Sequence, residues 1–263
     1  TAVKFAASSV DGNLSATATT GNLTQTGALT VTGTTTLETS ADAAAINLNN
    51  ASNTFTGALT ITTNDSDGSD SDATISAGSL KKLIFAASTI DGDLTVTSSN
   101  ATGITQTGVL TVGGTSSFTT SADGADIDLN SSSNAFTGAV SLSTTGSGGY
   151  AELSNGSNSL TTGTSTVDGY LTLTTSGQII FGDTTVGGNL SAISDSTITD
   201  TGTLVVTGTT ELETPGNGFA VDLQSTNNDF GDTVKAKGHH VKLTDVNGIK
   251  LGRINATNGQ IVI

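Results

Sequence analysis

Side chains able to do chemistry are sparse in this chain. The densest group is Asn64–Asp72 (NDSDGSDSD), where Asp65, Asp67, Asp70 and Asp72 occupy alternate or near-alternate positions around Gly68. Calcium takes several carboxylate oxygens, and a glycine allows the sharp turn between them, so these four aspartates form a candidate calcium site. No glutamate closes the segment at the twelfth position, so it is not an EF-hand loop. A solvated acidic loop inserted between structural elements accounts for the same residues. His239 and His240 are the only histidines. Adjacent strand residues point to opposite faces, so the pair is not expected to share a metal, and an exposed turn is the simpler expectation. Lys235, Lys237, Lys242, Lys250 and Arg253 gather near the C-terminal end, with Lys4, Lys81 and Lys82 apart. Such a group could meet an anionic glycan or the acidic surface of another copy, or guard strand edges against unwanted pairing.

Nothing here spells an enzyme. There is no Ser-His-Asp spacing, phosphate loop or convincing carboxylate pair. Two Tyr, no Trp and the single Arg253 are a poor kit for a sugar-cleaving groove. No cofactor is implied. The net charge of −15 leaves no basic face to displace counterions from phosphate, which argues against nucleic acid as a partner. It suits a self-repelling extracellular surface. The absence of Cys excludes disulfides and thiolate metal sites. No apolar run approaches the ~18 residues that would span a membrane.

What positions these residues is a repeat. Leu23–Ile61, Ile104–Leu142 and Ile198–Ala236 align from end to end without a gap. Within them apolar residues alternate with Thr or Ser, as at Leu29 and Val31, Leu110 and Val112, or Leu204 and Val206. That period of two is the strand signature, and Thr between suits a pleated surface. Gly or Asp-Gly before many of the runs marks bends, as at Gly27, Gly108 and Gly202. Asn47, Asn49, Asn50, Asn53 and Asn134 fall at or near expected turns, where stacked amides would satisfy backbone groups between coils. Fixed internal repetition selects a solenoid over a sandwich. The expected fold is all-β, a right-handed parallel β-helix with roughly 19–20 residues per coil and on the order of 13 coils. Phe5, Phe85 and Phe181, each in a similar context (VKFAASS, LIFAAST, IIFGDTT), are expected to point inward at equivalent positions. The spacer after the second copy is longer by nearly one coil, and its STVDGYLTLTTS repeats the VDGNL theme. Residues 1–263 form one continuous array, and both ends look cut from a longer one.

The segments ITQTGVLTV, NAFTGAVSL, VDGNL and VKLTDVNGIKLG resemble the degenerate repeats of giant filamentous-haemagglutinin-like proteins, secreted bacterial adhesins of the two-partner or autotransporter kind. The resemblance implies a right-handed parallel β-helix, secretion to the cell surface, adhesion and no catalytic residues. The expected role is therefore a structural or adhesive stalk, or a region that presents ligands to a cell-surface or glycan receptor. The alternative is a self-assembling extracellular filament whose copies stack end to end.

Overall fold

A computed structural model describes residues 1–64, 71–146, 148–216, 218–257 and 259–263. The described residues form short strands and no helix, and every pairing between strands is parallel. The chain winds into a β-solenoid of about 12 coils. The alternation read from the sequence is the cause. On Leu94–Ser98, Leu94, Val96 and Ser98 are buried while Thr95 is exposed. Each inward residue then meets its counterpart one coil away, and Leu48, Ile75, Val96, Phe118 and Leu142 make one such ladder. Phe118 also meets Phe136 edge-on at 6.0 Å. A parallel sheet usually needs cover on both faces. Here the other sheets of the coil cover the inner face, and Thr and Ser face water outside.

Phe85 and Phe181 are fully buried, and Phe5 is partly buried against the same core. Each pairs with the third residue of a repeat copy in the next coil: Phe5 with Gln25, Phe85 with Gln106, Phe181 with Asp200. The glycine two residues further on, at Gly27, Gly108 and Gly202, lies against the backbone of Ala7, Ala87 and Asp183, leaving no room for a side chain.

The copies do not stack on one another. Their first strands, Leu23–Gln25, Ile104–Gln106 and Ile198–Asp200, belong to three different sheets, of 11, 15 and 6 strands. Successive copies are therefore presented on different sides of the solenoid. The shift arises at the last strand of a copy. Leu59–Thr62 pairs with two strands of the next coil, through Phe85 and through Thr89, so a corner lies over a straight strand. The Ser88 hydroxyl closes that corner by donating to Ala86 O and accepting from Ile61 N. Ser165 does the same over Val140–Thr145, with Gly163 O and Leu142 N.

Coil length is less uniform than the sequence repeat suggests. The shortest coil separates the paired Val234 and Leu251, and the longest separates Ile46 and Ala73. The longest coil is the one carrying the acidic segment.

Nor do asparagines form a simple ladder. Asn53 and Asn134 are buried, and each bonds a glutamine of the neighbouring coil rather than another asparagine. Asn134 donates to Gln106 Oε1 and Leu129 O and accepts from Gln106 Nε2 and Leu110 N. Asn53 repeats this with Gln25, Leu48 and Leu29. In the third copy Asn228 donates to Asp200 Oδ2 and accepts from Leu204 N. The amide satisfies two strands at once, which a Thr or Ser at the same corner could not reach.

Candidate ligand-binding face

The outward side chains of one sheet carry the chain's most varied chemistry. Along it, Asp128, Glu152, Thr172, Ser191, Glu211 and Lys235 follow one another in register, one per coil. At the corner leading into this sheet, the backbone carbonyls of Asp126, Tyr150, Tyr170, Asn189 and Thr209 each accept an amide of the coil below. The two tyrosines are thus axial neighbours, and their rings stack at 4.6 Å with an interplanar angle of 4°. Tyr170 Oη donates to Glu152 Oε1 at 3.1 Å, and Asn130 Nδ2 donates to the other carboxylate oxygen at 3.3 Å. Tyr150 is seated by its own amide, which donates to Asp126 Oδ1.

The electrostatics follow from this crowding. Partial burial, then the neighbouring Glu152, push the Asp128 carboxyl above its usual range. One of its oxygens is buried with no hydrogen-bond partner among the described residues. Burial, then the hydrogen bond to Glu152, push the Tyr170 phenol up to about 12. Burial and the nearby acids raise Tyr150 as well. Both rings are therefore neutral donors at physiological pH.

Two depressions open along this sheet. One, of about 290 Å³, is lined by Tyr170, Thr172, Asn189, Ser191, Thr209 and Glu211. The next, also about 290 Å³, is bounded by Glu211, Glu213, Lys235, Lys237 and Arg253. Glu211 separates them.

The candidates read from the sequence distribute unevenly over this picture. Asp65, Asp67 and Asp70 lie outside the described residues. Asp72 is described, and its Oδ1 accepts the amide of Asp93 at 2.8 Å. Among the described residues no three His, Cys, Asp or Glu side chains converge on a metal position. His239 and His240 sit in a bend rather than a strand, half-buried, with rings in edge contact at 4.4 Å. Each Nδ1 meets the backbone of the next coil, His239 at Thr257 O and His240 at Gln260 N. Of the basic group, Lys237, Lys242 and Lys250 pair with Glu213, Asp222 and Asp232 of the preceding coil. Lys235 and Arg253 have no ion-pair partner among the described residues and line the second depression.

The tyrosine pair escaped sequence reading. Its signal is a spacing of one local coil, in the longer spacer after the second copy. No described helix is long and apolar enough to cross a membrane. No curated protein and no solved structure matches the chain. A family model described as repeats of unknown function (DUF5649) matches residues 1–62, 70–143 and 172–237. Those stretches cover most of the chain, and it belongs to that repeat family.

Proposed function

We propose that this chain is a non-catalytic shaft, one length of a secreted surface protein that holds or presents binding groups away from a cell. The observation that carries the reading is the inward ladder from Leu48 to Leu142, which passes from coil to coil without a polar break. With a strand spacing of about 4.8 Å, some twelve such coils make a shaft of roughly 55 Å. Its surface of Thr, Ser and carboxylates at a net charge of −15 suits an exposed, self-repelling rod. The resemblance of its motifs to filamentous-haemagglutinin-like adhesins supports an extracellular setting and a cell-surface or glycan receptor.

Protease shaving of intact cells that make the parent protein tests the setting. Peptides from within residues 1–263 should be released before lysis. Release only after lysis would overturn the reading. A self-assembling filament is the second reading. It is favoured by the apolar surface on the last coils, where Leu251, Ile261, Val262 and Ile263 are 43%, 51%, 48% and 52% exposed. The same surface is what a following coil of a longer chain would cover. Sedimentation over a range of protein concentration separates the two, because end-to-end contacts do not close and keep growing.

A further inference from the structure

The depression beside Tyr170 has a floor and walls of different chemistry. Tyr150 covers one face of the Tyr170 ring. The depression is lined by Tyr170 with Leu171 and Thr172 of its own coil and by residues of the coils above it, and not by Tyr150. It therefore opens on the side of Tyr170 away from Tyr150. That ring is held in place from behind by Tyr150 and at its hydroxyl by Glu152, while 40% of the residue remains exposed. Around the ring stand short polar groups: the hydroxyls of Thr172, Ser191 and Thr209, the Asn189 amide and the Glu211 carboxylate. Asn189 uses its oxygen on Thr209 N, and its NH₂ has no partner among the described residues.

We infer that this depression binds a single neutral pyranose ring of a glycan, stacked by its C–H face on Tyr170 with its hydroxyls turned to Asn189, Ser191, Thr172 and Glu211. A rigid aromatic body with polar groups at its rim matches a ligand that is apolar on one face and hydroxylated at its edge. The volume of about 290 Å³ stands at the lower end of ligand pockets, ~300 Å³, which suits one ring rather than an extended ligand. A cation over the ring is the competing ligand. It is disfavoured because the walls are mostly neutral hydroxyl and amide, and Glu211 has Lys235 directly opposite on the next strand. The inference rests on the shaft reading only for its setting, since the site is complete within the isolated chain.

The chain itself supplies the probe. With two Tyr and no Trp, tyrosine emission comes from this pair alone. The isolated chain is titrated with D-glucose, D-galactose, D-mannose, N-acetyl-D-glucosamine and L-fucose, and is then applied to an array of neutral oligosaccharides. At least one sugar should change the emission saturably and be retained on the array. On the array, Tyr170→Ala should lose at least tenfold in affinity and Asn189→Ala severalfold. Tyr170→Phe should bind within about threefold of the parent chain, because the ring face rather than the hydroxyl makes the contact. Circular dichroism of each variant confirms that it is folded. Silence with every neutral sugar overturns the site, as does undiminished binding by folded Tyr170→Ala, or a saturable response to tetramethylammonium in place of sugar. None of these outcomes bears on protease shaving, so the glycan site can fail while the shaft reading stands.

Discussion

The stretches matched by the repeat family and the stretch between the second and third of them, residues 144–171, both fasten coils with inward polar groups, but only residues 144–171 carry a stacked tyrosine pair on the outside. In the matched stretches the most heavily bonded amides turn inward and do the same task at each copy. Asn53, Asn134 and Asn228 are buried at corresponding positions and tie two coils together. Residues 144–171 also hold an inward amide, Asn155, which accepts from Phe136 N and donates to Phe136 O and Ser159 O, but their distinctive pair turns outward. Both tyrosines lie there, in the added coil. The inward amides hold coils together, and the outward tyrosines decorate the rod. Each prediction below sets a member of one class against the other.

The largest contrast is in the core. Phe118 lies between Val96 and Leu142 in its ladder and against the edge of Phe136. Phe118→Ala should cost about 3–5 kcal/mol, as large-to-small core changes do. Tyr150→Ala, in the added coil, gives up a stacked pair at a half-exposed corner and should cost no more than about 1.5 kcal/mol. Urea unfolding of both variants gives the comparison. Equal costs would mean that the tyrosine pair is part of the core.

Asn134→Ala comes next. It strands Leu110 N–H, Leu129 C=O and the Gln106 amide in a buried corner. An orphaned buried group costs about 1–3 kcal/mol, so a total of roughly 3 kcal/mol is expected, with Asn53→Ala close to it. A loss below about 1 kcal/mol at both sites would show that water replaces the amide and that the corner does not fasten the coils.

These two classes differ in how far the sequence discloses them. Leu29, Leu110 and Leu204 could be placed inside because alternation is local and a strand shows it within three residues. The sheet that each copy occupies could not, because it depends on where a corner such as Ala86–Ser88 lands over Leu59–Thr62 in another coil. Contacts along the axis suffer most. Coils of unequal length give no fixed offset, so Tyr150 and Tyr170 look unrelated until the register is known. The asparagines were legible as corner residues. Their glutamine partners, a full coil away, were not.

A smaller effect should have the opposite sign. Thr35, Ser116 and Thr210 hold the same position in the three copies, all point inward, and each hydroxyl is buried without a partner among the described residues. Replacing such a group by an apolar one of like shape removes an unmet desolvation cost. Thr35→Val and Thr210→Val should each raise stability by up to about 1 kcal/mol, read as a higher urea midpoint at unchanged slope. Destabilisation at both would show that the hydroxyls have partners after all, such as buried water.

The smallest effect at neutral pH belongs to Tyr170→Phe, which gives up one hydrogen bond at an exposed corner and should shift stability by no more than about 0.5 kcal/mol. Alkaline pH should bring it out. The phenol is raised from 10.0 to about 12 in the folded chain, so between those values the unfolded chain loses its proton first. Fewer protons on the unfolded state make stability fall as pH rises. The contribution is thus whole below about pH 10 and is lost by about pH 12, and Tyr170→Phe should lack that part of the decline. Lysines titrate in the same window, so the informative quantity is the difference between the parent chain and Tyr170→Phe, each unfolded in urea at several pH values. Tyrosinate absorbance of the Tyr150→Phe variant gives the Tyr170 titration directly, with a phenyl ring still stacked beneath it. Parallel stability curves for parent and Tyr170→Phe up to about pH 12 would mean that the hydrogen bond to Glu152 does not hold the ring. The outward class would then lack the rigid platform that sets it apart from the inward one.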